Sequence, residues 1–419
     1  MRVAVIGAGA AGLAAAISAA QAGAKHVFLF EKNDIPGKKL LLTGNGRCNV
    51  SNRAEVRDYP AHFFENGKFL YKSLHIFSPV DLEGLLREQG VTCKEEDGGR
   101  IFPTSEKAKD VVDALFLRAK DKGVSFHGGE PVLMICKDEN ERITKVVTQQ
   151  ATYDVDACVI CTGGKSYPAT GSTGDGYSLA TMLGHKVIPV RPALAQLDGV
   201  TEVVKPLQGV CLSGVLIRLL CEGVCLASTS GDMIFTHFGF SGPGIFRLSR
   251  FLPTDISLYE GDKVCLSIDL WAGQSEETVT GKMKLLFTEN QNKKVFSVLR
   301  MLWSEAIVRT ILNRIHVEGQ MCCRDFTRID RNTLLSESRD FGFVVRRQPL
   351  FSGAMVTRGG IALSEVDPKT LASKIVSGLF FAGEVLDIDG ETGGYNLQAA
   401  FSTGFSAGAS AAGLAANRN

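Results

Sequence analysis

The sequence predicts an α/β fold, a Rossmann-type domain interrupted by a separate inserted domain. Three observations predict it. A G-x-G-x-x-G turn, Gly7 to Gly12, lies between an apolar strand-like run and a small-residue helix. Glycine-rich strand and helix sequence of the same character returns past residue 353. Between the two, the sequence turns strand-rich and then charged and helix-like. A chain of 419 residues is also too long for one core and suits two or three domains.

Residues 2–6 read as a short buried strand, followed by the glycine turn and a helix through about Gly23. Residues 26–30 make a second strand that ends at Glu31, which completes one βαβ start. Loop-rich sequence runs from about 33 to 60, and helices are expected near 79–90 and 105–122. Residues 123–127 read as another strand of the main sheet. Residues 131–150 alternate with charged turns as in an antiparallel meander, and 155–162 form a buried strand ending in Thr162-Gly163-Gly164. The expected division is 1–190 for the first part of the main domain, 191–352 for the insertion and 353–419 for the remainder. Within the insertion, 191–274 is β-rich and 275–345 helical. A strand over residues 378–383 and a small-residue helix to the end complete the chain.

Composition excludes several classes. With 46 basic and 45 acidic residues the net charge is +1, so nothing electrostatic points to a nucleic acid or an acidic membrane. No stretch reaches the ~18 apolar residues a membrane span needs. The apolar run after Arg2 is broken by glycines at fixed spacing, which a secretory leader does not require. The 11 cysteines are odd in number and scattered, as in a reduced, cytoplasmic chain. Cys158 and Cys161 lie three apart in a strand-like run and should point to opposite faces as packing residues. Cys221 and Cys225 flank an expected Glu222-Gly223 hairpin turn and should lie diagonally across it. None of the seven histidines has metal-ligand spacing, so no metal is expected.

The first glycine motif carries chemistry. Gly7 permits the tight turn, Gly9 lets the backbone approach a pyrophosphate, and Gly12 lets the helix lie close to the sheet. The helix N-terminus offers unpaired N–H groups to phosphate. Glu31, some 20 residues further on, suits both ribose hydroxyls of an adenosine and would repel a 2′-phosphate. The site should therefore hold FAD or NAD rather than NADP. FAD is favoured by the far end, where Gly383 and Glu384 close an apolar strand in the manner of the late flavoprotein motif. Gly393-Gly394-Tyr395-Asn396-Leu397 then opens a helix whose N-terminus suits the pyrimidine edge of a reduced flavin.

Further blocks are Gly37 to Asn49 (GKKLLLTGNGRCN), Thr162 to Gly176 (TGGKSYPATGSTGDG), Phe235 to Pro243 (FTHFGFSGP), Val356 to Gly360 (VTRGG) and Gly383 to Gly390 (GEVLDIDG). With these, nearly the whole chain resembles the HI0933-like, BaiN-type family of bacterial NAD(P)/FAD-dependent oxidoreductases. The resemblance implies an FAD domain, a β-barrel-like insertion and a small helical part within it. Cys161, standing where many flavoproteins have alanine, is a mild departure, as is Glu384 in place of aspartate. The resemblance also raises two activities, reduction of an unsaturated steroid-like ketone and oxidation of a small amine.

Thr43-Gly44-Asn45-Gly46-Arg47-Cys48-Asn49 offers flexible glycines, amide donors and one cation, a set suited to the diphosphate or the flavin edge. A redox role for Cys48 would want a partner cysteine, which the sequence does not name. Asp175 reads as a helix cap. His237 reads either as an acid or hydrogen-bond donor facing the flavin, or as a histidine shaping a turn. Arg358 suits an anionic substrate or a structural carboxylate. Ala11, Lys32, Lys39, Val132, Thr162, Gly163, Gly164 and Asp387 complete the expected cofactor contacts.

No second G-x-G-x-x-G follows a mid-chain strand, so NADH or NADPH would dock only transiently. The reading is an FAD-dependent oxidoreductase acting on a small organic substrate bound between the FAD domain and the insertion. The alternatives are an RNA-modifying flavoprotein and a non-catalytic flavin-binding protein.

Overall fold

Five short strands share one parallel sheet, whose inner strands bury apolar side chains on both faces. A computed structural model describes residues 1–413 of the chain. The expected continuation of the last helix over residues 414–419 lies outside the described residues. One unit runs from Met1 to Pro192 and resumes at Ala354, and the other spans Ala193–Gly353.

In the first unit the strands are β1 (Arg2–Ile6), β2 (His26–Phe30), β3 (Ser125–His127), β4 (Ala157–Ile160) and β5 (Leu379–Phe381), in the order β5-β4-β1-β2-β3. Val3, Ala4 and Val5 of the central β1 are fully buried. Ile6 pairs with Ile160 on one side and Phe30 on the other, and Ile160 pairs with Phe381. Because the strands are parallel and in register, the loops beginning at Gly7, Glu31, Cys161 and Ala382 all leave the same sheet edge.

Helix α1 (Ala10–Gln21) packs tightly for a specific reason. A Cβ at Gly12 would fall 1.7 Å from the Gly7 carbonyl oxygen, and one at Gly7 would fall 2.7 Å from that of Cys161. Two further helices of this unit are α2 (Asp175–Met182) and α3 (Tyr395–Gly413). Helix α3 lies along α1 at backbone distance: a Cβ at Gly404 or Gly408 would stand 2.1 Å from the carbonyl oxygen of Ala11 or Ala15. The expected meander forms an antiparallel three-stranded sheet of Val132–Lys137, Ile143–Thr148 and Thr152–Asp154. Cys158 and Cys161 are buried free thiols in the core.

The second unit has its own core around Phe235, Phe240, Phe341 and Phe343. Its antiparallel sheet runs Leu197–Asp198, Gly239–Ser241, Val224–Phe235, Cys211–Cys221, Val264–Asp269 and Phe341–Val344. A Gly199–Val345 bridge and the Arg346 N–H donating to the Asp198 carbonyl at 2.8 Å join its two edges into a barrel-like sheet. Glu222 and Gly223 both have positive φ, the turn type that suits a two-residue hairpin. Cys225 pairs with Leu220 and Cys221 with Val224, which sets the two cysteines diagonally. Helices Glu276–Glu289, Glu305–Arg314 and Arg328–Arg339 fill the helical stretch. That stretch closes on a strand rather than a helix, because Phe341 and Phe343 alternate inward and pair with Val264–Asp269. Among the described residues, no helix is long and apolar enough to cross a membrane.

Candidate functional site

The loops at the sheet edge form a glycine-lined trough. A Cβ at Gly9 would meet nothing within 4 Å, so the backbone there is open to a ligand. The first N–H groups of α1 have no intrahelical acceptor and point out of the helix end. Glu31 accepts from the Ala8 N–H at 2.9 Å, and from the Asn33 N–H at 2.9 Å and side-chain amide at 2.7 Å. Its carboxylate thus ties the glycine turn to the β2 loop. Ala11 is buried beneath the C-terminal half, with Gly383 close enough that its Cβ would lie 2.7 Å from that of Ala11.

Lys39 and Glu384 meet beside this trough. Lys39 Nζ lies 2.7 Å from Glu384 Oε2 and also donates to Ser166 Oγ. Glu384 further accepts from Ser166 Oγ at 2.9 Å and from the Thr357 N–H at 2.7 Å. Burial alone would raise this carboxyl, but the Lys39 ammonium and these donors hold it below its ordinary value. Gly164 packs so closely on Thr357 that a Cβ would fall 2.3 Å from its hydroxyl oxygen. Gly163 lies alongside Ser172, whose hydroxyl donates to the Gly164 carbonyl at 2.9 Å.

In the Thr43–Asn49 loop, Gly44 and Gly46 have positive φ, and the Cys48 N–H donates to the Thr43 carbonyl at 2.9 Å. Arg47 pairs with Glu96 and, at 3.1 Å, with Glu106, and its guanidinium lies 4.2 Å from the Phe102 ring centroid. These partners commit the cation to the small sheet beside the loop. Cys48 is fully buried, and burial pushes its thiol up to about 12, so it is no reactive thiolate.

Lys32 engages Asp175 at 2.6 Å and Thr173 at 2.5 Å. The cap of α2 is Gly174, at φ 89°, rather than Asp175, which is the first helical residue and serves as the ion-pair partner of Lys32. Val132 opens the strand after Glu130, whose buried carboxylate accepts from Thr148 at 2.6 Å and Tyr153 at 2.9 Å.

The last loops are built on a ladder that the sequence did not reveal. Phe63 bridges to Gly390, the Glu391 N–H donates to the His62 carbonyl at 2.8 Å, and Asn66 donates to the Asp387 carbonyl at 2.9 Å. Burial raises the Asp387 carboxyl, as do Asp389 and Glu65, against the opposing effect of Arg358. Arg358 pairs with Glu65 at 3.0 Å. Asn396 fastens the loop by accepting from the Gly390 N–H at 2.8 Å and donating to the carbonyls of Gly390 and Glu391. At Gly394, φ is +98° and a Cβ would stand 2.1 Å from the Ser51 carbonyl oxygen, so only glycine fits. Tyr395 opens α3 with the His62 ring stacked on it at 3.9 Å and Tyr59 edge-on at 5.2 Å. Leu397 is partly buried against the core. Asn52 donates to the Gly393 carbonyl at 3.0 Å. Asn52, Tyr59, His62 and Asn66 were missed because Gly393, Tyr395, Glu391 and Asp387, which they meet here, come from the far end of the chain. A concentration of amide and aromatic residues was the only local signal.

His237 belongs to the second unit. It is exposed between strands Val224–Phe235 and Gly239–Ser241, edge-on to Phe238 at 4.5 Å. The turn is shaped by Thr236, whose hydroxyl accepts from the Gly239 N–H at 3.0 Å. The His237 ring nitrogens have no hydrogen-bond partner among the described residues.

The first unit fits a dinucleotide carrying a flavin. Thr162 Oγ1 and Asn49 Oδ1 are buried without a hydrogen-bond partner among the described residues, and both belong to the expected contact set. With the open backbone at Gly9, they are the vacant polar positions such a cofactor would satisfy. Gly7, Gly9, Gly12 and Glu31 would hold its ADP half, and the loops after β4 and β5 the remainder.

Comparison with known proteins follows the same outline. The family model described as the HI0933-like protein Rossmann domain matches residues 1–410. A 3-dehydro-bile acid delta(4,6)-reductase of Clostridium scindens is 30% identical over 98% of this chain and 99% of its own. Ribosomal RNA dihydrouridine synthases of Haemophilus influenzae and Escherichia coli are each 29% identical, over 96% and 95% of both chains respectively. In fold, the chain is similar to a 3-ketosteroid delta4-(5alpha)-dehydrogenase from Rhodococcus jostii, with TM-score 0.51 and 15% identity over 98% of this chain and 96% of that one.

Proposed function

The chain belongs to the HI0933-like family, and from that premise we propose an FAD-dependent oxidoreductase that saturates a carbon–carbon double bond conjugated to a carbonyl. The observation that carries the cofactor is the glycine-lined sheet edge with its orphaned Thr162 Oγ1 and Asn49 Oδ1. The names of the relatives suggest the reaction. One reduces a 3-dehydro-bile acid and the others make dihydrouridine, and both reactions add two hydrogens across such a bond.

When bound, FAD supplies hydride transfer. The protein's part is to bind and orient. The α1 N-terminus and Glu31 would take the ADP half, and Glu384, fixed by Lys39, Ser166 and Thr357, would face the ribityl chain. The α3 N-terminus at Gly394 and Tyr395 favours negative charge on the reduced ring. NADH or NADPH is the proposed transient donor, since no second dinucleotide motif is present. His237 is the proposed hydrogen-bond donor to the substrate. A reduced, cytoplasmic setting agrees with free thiols at all 11 cysteines.

A small-molecule enone is the favoured substrate, because the net charge of +1 offers little to a polyanion. Uracil in RNA is the second reading, supported by the two relatives at 29% identity. Anaerobic reduction of the holoprotein by NADH and NADPH, followed by reoxidation with a 4-en-3-one steroid, a ribosomal RNA fragment or oxygen, separates the readings. Rapid reoxidation by the steroid supports the favoured one. Reoxidation by oxygen alone, with neither other acceptor consumed, overturns both.

A further inference from the structure

We propose that His62 is the proton donor of the reductive step, oriented by Glu391. This rests on the reading of the chain as an FAD-dependent reductase of conjugated double bonds. Two backbone contacts fix the segment and two more fix the ring. The Glu391 N–H donates to the His62 carbonyl at 2.8 Å, Phe63 bridges to Gly390, the imidazole stacks on Tyr395 at 3.9 Å and 13°, and Nδ1 lies 3.0 Å from Glu391 Oε2. A histidine held so firmly has given up its rotamer freedom, which a purely solvent-facing one keeps.

The Glu391 contact sets the tautomer. With Nδ1–H donating to the carboxylate, Nε2 is the nitrogen left to exchange a proton, and it has no hydrogen-bond partner among the described residues. The side chain is 32% exposed, so the ring is neither sealed in the core nor loose in solvent. Its stacking partner Tyr395 opens α3, the helix end assigned to the flavin pyrimidine edge. A carboxylate on one ring nitrogen and no hydrogen-bond partner on the other among the described residues is the arrangement of an acid–base histidine.

The balance is as follows. The β-carbon of the enone receives a hydride from the reduced cofactor, and the α-carbon receives the Nε2 proton of the His62 imidazolium, whose Nδ1–H stays on Glu391. The carbon–carbon π bond breaks and two C–H bonds form. The cofactor is left oxidised and regains two electrons from the nicotinamide donor, while the neutral imidazole regains its proton from water.

The test uses the FAD-loaded full chain, with cyclohex-2-enone as substrate and a phenol as a mimic of the enolate. His62→Ala should retain FAD and be reduced by the nicotinamide at the wild-type rate. Its reoxidation by enone should fall roughly 100-fold, the scale of a lost general acid, and added imidazole should restore part of it. Phenol binding to the oxidised protein, read from its charge-transfer absorbance, should weaken in the same variant. Should His62→Ala fail to hold flavin, His62→Gln, whose amide can still reach Glu391, carries the same two readouts. Wild-type reoxidation and phenol binding in a flavin-loaded variant would overturn the role of His62 alone. A wild-type holoprotein that no enone reoxidises would overturn the underlying reading.

Discussion

Lys39 Nζ lies 2.7 Å from Glu384 Oε2, a contact that spans 345 residues of sequence. It joins the loop after β2 to the loop after β5, and Ser166 and Thr357 complete the shell around the carboxylate. The carboxyl is held below its ordinary value, so its stabilisation is present above the ordinary carboxylate range and lost as pH falls below that range through the lowered native value. Glu384→Gln should cost roughly 2 kcal/mol at neutral pH. Thermal unfolding against pH should show the gap between variant and wild type closing on acidification.

Glu31 holds the glycine turn and is the expected ribose ligand. Glu31→Ala removes a charged acceptor from Ala8 and Asn33. FAD titration of the apoprotein should show affinity weakened by roughly ten- to a hundredfold, the equivalent of a charged hydrogen bond. Unchanged affinity would remove Glu31 from the site.

The seam between α1 and α3 admits no side chain at Gly408, where a Cβ would lie 2.1 Å from the Ala15 carbonyl oxygen. Gly408→Val should destabilise by about 2 kcal/mol or more. A drop of several degrees in melting temperature, accompanied by loss of flavin, is the expected measurement.

Cys48 should be inert. Its thiol is buried and pushed up to about 12, whereas Cys211 and Cys225 are exposed. Brief iodoacetamide treatment of the native protein, read by peptide mass spectrometry, should label Cys211 and Cys225 and leave Cys48 unmodified.

His237→Ala, which removes the ring donor, should slow enone-dependent reoxidation while flavin content and nicotinamide-dependent reduction stay at wild-type levels. An unchanged oxidative half-reaction would exclude His237 as the substrate's hydrogen-bond donor.

Much of the fold was legible because its signals are local. β1, the glycine turn, α1 and Glu31 sit within one βαβ unit, where spacing carries the geometry. The turn at Glu222-Gly223 was equally readable, since two residues decide it. Side-chain partners were not legible. Nothing near Arg47 announces Glu96 and Glu106, and nothing near Lys32 announces Asp175. His62 is the clearest case, since its ladder partner Glu391 lies 329 residues away and only the fold brings them together. Phe341 was misread because its strand follows directly on a helical stretch, and pairing with Val264–Asp269 decides its conformation.

The position of β5 at the sheet edge next to β4 has a consequence for biosynthesis. A ribosome delivers the glycine turn first, and the second unit, with a contiguous core from Leu197 to Val345, follows while β5 is still untranslated. Until Leu379–Phe381 and α3 emerge, β4 lacks its neighbour and the alanine face of α1 lacks its cover. A chain at that stage leaves the apolar residues of β4 and α1 without the packing that β5 and α3 provide. The sheet edge that carries the glycine turn is therefore complete only once Leu379–Phe381 and α3 are in place.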